Sequence, residues 1–121
     1  VTMTHSIAEP NGLKISTPLG TVFHTGDWKL DPAPVIGRPT DAAAIQAMGD
    51  AGLLAMVCDS TNVFVEGEAG SETQAQEGLV ELIGGLKTGR IAVGCFASNV
   101  ARMVSVMRAA EKAGRRVALA G

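Results

Sequence analysis

The two histidines of the chain both lie near its start, in two short clusters of polar residues. One is Thr4-His5-Ser6, and the other is the run from His24 to Lys29, which contains Gly26 and Asp27. Imidazole and carboxylate are suitable ligands for zinc or manganese, and Gly26 would let the backbone turn and project the carboxylate of Asp27. Aspartate after glycine is also a common turn residue. Spacing alone therefore leaves a metal site and a simple turn as alternatives.

The overall composition restricts the class of protein. The 121 residues suit one ordinary domain, and 10 basic against 12 acidic residues give a net charge of -2, which is not that of a basic nucleic-acid-binding arm. Aromatic residues make up only 3%, which argues against a protein that stacks single-stranded bases. No apolar run approaches the roughly 20 residues of a membrane span, and residues 1–11 do not resemble a signal peptide. We therefore expect a cytoplasmic protein with no membrane partner.

The first elements are predicted from turn residues. Residues 12–17 and 21–25 read as extended segments around Pro18-Leu19-Gly20, which predicts a hairpin. Three prolines then lie within residues 30–39, where no regular element is expected.

From residue 40 onward, capped helices alternate with apolar runs. The predicted caps are Thr40 or Asp41, then Ser71 in a capping box with Gln74, and then Ser98. The apolar positions expected on the inner faces of the three helices are Ile45 and Met48; Ala75, Leu79, Leu82, Ile83 and Leu86; and Val100, Val104, Met107 and Ala110.

The apolar runs between these helices predict buried strands over residues 53–58, 90–95 and 116–120. Residues 53–121 would then form a β-α-β-α-β series with a parallel sheet and right-handed crossovers. Cys58 and Cys95 lie in these runs, without the spacing of a disulfide framework or a zinc ribbon, so we expect them to be reduced core residues.

Five short motifs occur in a characteristic order. They are His5-Ser6-Ile7-Ala8-Glu9-Pro10-Asn11, Thr17-Pro18-Leu19-Gly20, His24-Thr25-Gly26-Asp27-Trp28-Lys29, Cys58-Asp59-Ser60-Thr61-Asn62 and Phe96-Ala97-Ser98-Asn99. Over essentially the whole chain, this series resembles the ribonuclease J family of β-CASP metallo-β-lactamase-fold nucleases.

The resemblance implies a role for particular residues. His5 matches the histidine of the family's third metal motif, and Asp27 matches the carboxylate that bridges two metal ions. Asp59 matches the acidic residue of the first β-CASP motif, which assists proton transfer. Ser98 and Asn99 match a segment that lines the nucleotide pocket near the 5′ phosphate.

The resemblance also implies a domain organisation. The fold class is α/β, with a metallo-β-lactamase-fold hairpin in residues 1–52 joined to the start of a β-CASP domain in residues 53–121. The family's main motif, His-x-His-x-Asp-His, would lie before Val1, so we expect a fragment of a larger protein that is inactive by itself.

The implied parent is a zinc-dependent ribonuclease with 5′ exonuclease and endonuclease action. It would hold two zinc ions, with manganese or magnesium as alternatives. Its partner would be RNA, and the protein would be a homo-oligomer.

Two other functions fit parts of the same sequence. One is a small-molecule hydrolase of the metallo-β-lactamase fold, against which the motifs at Asp59 and at Phe96–Asn99 argue. The other is a non-catalytic α/β module that binds nucleotides or regulates. A dinucleotide site would require Gly-x-Gly-x-x-Gly after a strand, and neither residues 58–62 nor residues 95–99 contain it.

Overall fold

The computed structural model describes residues 1–120 and has an α/β fold, as predicted. Three strands form one mixed sheet, and three helices complete the regular structure of these residues. The elements are β1 (Leu13–Thr17), β2 (Gly20–His24), α1 (Ala42–Asp50), β3 (Ala55–Val57), α2 (Glu72–Gly85) and α3 (Val100–Lys112). The longest helix, α2, has 14 residues, and no helix within residues 1–120 has the length and hydrophobicity needed to cross a membrane.

The predicted hairpin is confirmed. β1 and β2 pair antiparallel, with Thr17 opposite Gly20. The Thr17 hydroxyl donates to the carbonyl of Gly20 at 2.9 Å and accepts from the N–H of Leu19 at 3.2 Å. Gly20 has a φ of 144°, which side-chain-bearing residues rarely adopt. Proline and glycine thus close the turn locally, as their types predict.

The third strand joins the hairpin. β3 pairs parallel with β2, giving the order β1-β2-β3. The prediction that this strand is covered on both faces is wrong for the described residues, since Leu54, Met56 and Val57 are 62%, 58% and 51% exposed. Apolar composition reflects the tendency of these side chains to be buried, but burial requires a second layer. No element within residues 1–120 provides that layer over β3.

Two other predicted strands are absent from the described residues. Residues 90–95 and 116–120 form neither strand nor helix, so the predicted β-α-β-α-β series is wrong. The chain segments just before these two ranges are joined by Arg115, whose side chain donates to the carbonyls of Leu86 and Gly89. A strand exists only where a neighbouring backbone accepts and donates its hydrogen bonds. Suitable residue types are therefore insufficient to make these runs strands.

The main apolar core lies where the hairpin meets α1. Met3, Phe23 and Met48 are buried together, and Val1, Trp28, Ile45 and Leu53 pack against them. Asp41 caps α1, because its carboxylate accepts from the N–H of Ala44 at 2.9 Å. The predicted cap and inner face of α1 are thus confirmed.

This core is small for the length of the chain. The accessible surface is 8698 Å² for 12.4 kDa, whereas a folded monomer of that mass exposes roughly 6,100 Å². Cys58 and Cys95 illustrate the difference, since both are free and exposed. Their prediction as core residues is wrong, because the apolar runs that contain them are not covered.

Helices α2 and α3 pack against each other through small and polar residues. The capping box of Ser71 and Gln74 is confirmed, but α3 is capped by Asn99 and not by Ser98. The buried positions of α3 are Ala101, Ser105, Ala109 and Ala110. Of the predicted face, only Ala110 is buried, while Met107 is 47% exposed. Close packing against α2 favours small residues at this interface, where Gln76 Nε2 donates to Ser105 Oγ at 3.2 Å.

Candidate metal and catalytic site

His5 lies beside the segment that contains Asp27. An isolated antiparallel bridge pairs Thr4 with Lys29, and the N–H of Lys29 donates to the carbonyl of Thr4 at 2.9 Å. His5 follows Thr4 and Asp27 precedes Lys29 by two residues. Because the two backbones run antiparallel here, the bridge brings both candidate ligands to the same end of the hairpin.

The imidazole of His5 has one free nitrogen among the described residues. Its Nδ1 lies 3.4 Å from Ser6 Oγ, a long contact whose direction depends on the tautomer. Within residues 1–120, no hydrogen bond reaches Nε2. If Nδ1–H donates to Ser6, the Nε2 lone pair is available to a metal, as in other proteins where the second nitrogen orients a histidine ligand.

Asp27 projects from a turn that is stabilised by its neighbours. Gly26 adopts a φ of 63°, and its N–H donates to Nδ1 of His24 at 3.0 Å. Thr25 Oγ1 donates to the carbonyl of Gly26 at 2.7 Å. These contacts give His24 a structural role and leave Asp27 exposed. No donor within residues 1–120 bonds to the Asp27 carboxylate, which is therefore free to bind a ligand.

Asp59 is attached through its backbone to both sides of Asp27. Its N–H donates to Thr25 Oγ1 at 3.2 Å, and its carbonyl accepts from the indole N–H of Trp28 at 3.3 Å. The pairing of β3 with β2 continues into this region, since the N–H of Thr25 donates to Val57 at 3.0 Å. The end of β3 thus places Asp59 against the turn that carries Asp27, although Asp59 lies 32 residues later in the sequence.

The carboxyl of Asp59 is held in its ionised form. The Thr61 hydroxyl donates to Oδ1 at 2.6 Å and the Thr61 N–H donates to the same oxygen at 3.0 Å. These two bonds lower the pKa of Asp59 below its ordinary value, with smaller contributions from the backbone N–H of Trp28 and the charge of His5. Asp59 also lines a cleft of about 780 Å³, together with Trp28, Thr61 and Gln74.

Ser98 and Asn99 lie at the start of α3, which contacts the segment containing His5. The N–H of Ala101 donates to the carbonyl of Ser6 at 3.1 Å. Asn99 Oδ1 accepts from the N–H of Arg102 at 2.9 Å, and the N–H of Val100 donates to Ser98. The first three N–H groups of α3 are therefore already bonded. A phosphate at this position would have to be bound by the exposed Ser98 hydroxyl and the amide Nδ2 of Asn99.

A set of charged residues beside this site is not predicted by the sequence motifs. Lys29 Nζ lies 3.3 Å from Asp31 and 3.6 Å from Glu72, and Arg102 lies 3.4 Å from Glu72. Burial alone would raise the pKa of Asp31, but the N–H groups of Glu72 and Ala33, together with the side chains of Ser71 and Lys29, outweigh it and hold the pKa below its ordinary value. An aspartate before Pro32 could have been recognised as a turn residue that accepts from the N–H two residues later. Its contact with Glu72 of α2 could not be predicted from neighbouring residues, because the two residues are 41 positions apart.

The described residues contribute only part of a metal site. His5 and Asp27 have suitable donor atoms, but no three histidine, cysteine, aspartate or glutamate side chains within residues 1–120 lie close enough together to hold an ion. Catalytic zinc sites use three protein ligands. The donor chemistry fits a metal, and the coordination shell is incomplete within these residues.

Comparison with known proteins links the chain to one family. Residues 88–121 match the family model described as "Ribonuclease J, beta-CASP domain". The chain is 50% identical to Ribonuclease J of Sinorhizobium meliloti over 121 residues, which are 100% of this chain and 21% of that protein. It is 44% and 41% identical to Ribonuclease J of Thermus thermophilus and of Mycobacterium tuberculosis over 119 residues, which are 98% of this chain and 21% of each relative. The chain thus spans about a fifth of the length of these curated relatives.

Proposed function

This chain belongs to the ribonuclease J family, and we propose that it is part of a metal-dependent enzyme that hydrolyses RNA phosphodiester bonds. We propose 5′ exonuclease and endonuclease action for the whole protein, which would act in the cytoplasm as a homo-oligomer. The chain would contribute one side of the active site.

The observation that carries this proposal is the attachment of Asp59 to both sides of Asp27. The two residues come from different parts of the sequence, yet Thr25 and Trp28 bond directly to the backbone of Asp59. The pairing of Thr4 with Lys29 adds His5 to the same region. An imidazole and two carboxylates on neighbouring segments, with further ligands from outside these residues, suit hydrolysis at a metal site better than they suit a non-catalytic module.

His5 and Asp27 are the proposed metal ligands. Two zinc ions, or manganese or magnesium, would supply a nucleophile at neutral pH and stabilise the leaving oxygen. Asp27 would be the carboxylate ligand that the ions share, and His5 would contribute an imidazole nitrogen. The other ligands would come from parts of the protein outside these 121 residues.

Asp59 and the start of α3 would act on the substrate. Asp59 would accept a proton during hydrolysis; because Thr61 lowers its pKa, the carboxylate is ionised at neutral pH, is a weak base and is poorly suited to donate a proton. Ser98 and Asn99 would donate hydrogen bonds to the 5′ phosphate.

The proposal is tested by separate substitutions in the full-length protein, with 5′-monophosphorylated RNA as the substrate. We expect His5→Ala, Asp27→Ala and Asp59→Ala each to lower kcat by a factor on the order of 100 or more. The control is Asp50→Ala, since Asp50 lies at the end of α1 and bonds only to Gln46 among the described residues. Full activity in all three variants would refute the proposal.

A further inference from the structure

A reciprocal set of hydrogen bonds attaches the segment after Asp27 to the start of α2. The Asp31 side chain is 0% exposed. Its Oδ1 accepts from the N–H of Ala33 and its Oδ2 from the N–H of Glu72, both at 2.9 Å. In return, the carbonyl of Ala33 accepts from the hydroxyls of Ser71 and Thr73 at 2.8 and 2.7 Å. Residues 31–33 thus accept hydrogen bonds from residues 71–73, and the polar groups of both segments are paired.

Ion pairs reinforce this junction and extend it to α3. Lys29 lies within ion-pair distance of both Asp31 and Glu72, and Arg102 reaches both oxygens of Glu72 at 3.4 Å. The side chains of Lys29 and Glu72 are only 23% and 12% exposed. Removing one member of such a partly buried group leaves another charge without its partner, which favours a change in position.

Each of these two helices contacts the segment of one candidate ligand. Asp27 is connected to α2 through Lys29 and Asp31, which lie two and four residues later in the chain. His5 is connected to α3 through the carbonyl of Ser6, which accepts from Ala101. The pairing of Arg102 with Glu72 then joins the two helices. Together with the bridge between Thr4 and Lys29, these contacts form a closed ring that joins the His5 segment, the Asp27 segment, α2 and α3.

We propose that Asp31 is a positioning residue, which together with Glu72 sets the relative placement of His5 and Asp27 from the ends of α2 and α3. This inference rests on the proposed function. Metal ligands must be held within about 0.5 Å of their productive geometry, and the hydrogen bonds within residues 24–26 fix the shape of the turn without fixing its distance from His5. The junction between Asp31 and the start of α2 restrains the position of the turn from outside it.

A merely structural Asp31 would have a different consequence. A helix cap that only stabilises the fold would lower the free energy of unfolding and leave the affinity of the folded protein for metal unchanged. Asp41 provides the comparison, since it also accepts a backbone N–H at the start of a helix, at 2.9 Å. Its carboxylate bonds only to α1 among the described residues, and its own N–H donates to the carbonyl of Thr2 at 3.0 Å, a backbone bond that Asp41→Asn leaves in place.

The test compares zinc affinity in full-length variants, measured by competition with a chromophoric chelator at a temperature where circular dichroism shows each variant to be folded. We expect Asp31→Asn and Glu72→Gln each to weaken zinc binding by about tenfold or more, and to lower kcat without a change in KM. Asp41→Asn should retain the wild-type zinc affinity. Glu72→Gln keeps the backbone donor to Asp31, so it tests the junction even if Asp31→Asn does not fold.

Two outcomes separate this inference from the proposed function. If His5→Ala weakens zinc binding while Asp31→Asn and Glu72→Gln bind zinc as the wild type does, the positioning role is refuted and the metal site stands. If His5→Ala has no effect on zinc binding, the metal site itself is refuted, and the inference with it.

Discussion

The hydroxyl of Thr61 donates to the carboxylate of Asp59 at 2.6 Å, and the N–H of Thr61 donates to the same oxygen at 3.0 Å. This double contact is the main reason that the pKa of Asp59 is below its ordinary value. A residue two positions later in the chain therefore determines the pH range over which Asp59 is ionised. The contact is local, but its effect bears on the proposed chemistry.

Replacing Thr61 should move the acid limb of the pH–rate profile. Thr61→Val removes the shorter bond, so the pKa of Asp59 should rise, and activity that requires the ionised carboxylate should be lost at a higher pH than in the wild type. The pH dependence of kcat for RNA cleavage by the full-length protein measures this shift. Thr61→Ser keeps the hydroxyl and should retain the wild-type profile. Identical profiles for Val and Thr would show that Asp59 does not limit the reaction.

Asp31 should make stability depend on pH in the acid range. Its pKa is lower in the folded chain than the ordinary 3.8, so folding favours the ionised form. The stabilisation is present above pH 3.8 and is lost as the pH falls through the folded pKa. Asp31→Asn should therefore lower the free energy of unfolding at neutral pH, by about 1–3 kcal/mol, and the difference from wild type should narrow in acid.

Urea denaturation of the 121-residue chain at a series of pH values measures this difference. Asp50→Asn is a suitable control, because Asp50 is exposed on α1 and should give no comparable effect. A difference between wild type and Asp31→Asn that stays constant below pH 3.8 would contradict the assignment to ionisation.

Replacement of two glycines by alanine should change the stability of the chain in opposite directions. A Cβ at Gly12 would lie 2.8 Å from two ring atoms of the buried Phe23, so Gly12→Ala should destabilise the chain by about 1–3 kcal/mol. Gly49 lies within α1 and a Cβ there would contact nothing within 4 Å, so Gly49→Ala should stabilise it by about 0.5–1 kcal/mol. Thermal unfolding of both variants checks the two signs. Equal effects would mean that Phe23 moves away without cost.

The 121-residue chain alone should not hydrolyse RNA above background. His5 and Asp27 are too few ligands for an ion, and no further group of metal-binding side chains within residues 1–120 completes the shell. The measurement is turnover of labelled RNA with added zinc or manganese. Metal-dependent cleavage by the purified chain, abolished by His5→Ala, would disprove this expectation.

The elements that could be predicted from the sequence are those whose determinants are local. Pro18 and Gly20 specify the turn of the hairpin, Asp41 and Ser71 cap their helices, and the apolar spacing of α1 selects Ile45 and Met48 for the core. The turn and the caps depend on hydrogen bonds within a few residues, and the inner face of α1 follows from the spacing of apolar residues along one helix. The motif order likewise identified the family, which the comparisons support over the whole length of the chain.

Three features were predicted wrongly or not at all from the sequence, because each depends on partners far along the chain. Residues 90–95 and 116–120 have the composition of strands, but within residues 1–120 they have no neighbouring strand with which to form a ladder. Small residues of α3 face α2 in place of the larger apolar ones, because two helices can approach closely only over small side chains.

The junction between Asp31 and Glu72 joins residues 41 positions apart in the sequence. A buried carboxylate is costly in free energy unless hydrogen bonds and a cation compensate for its lost hydration, and the junction supplies these partners. The sequence by itself determined which turns, caps and helices form and which residues have the chemistry of a site. Only the tertiary structure decided which of these residues contact each other. The reason is that the free energy of a buried polar group depends on partners that are distant in sequence and become neighbours when the chain folds.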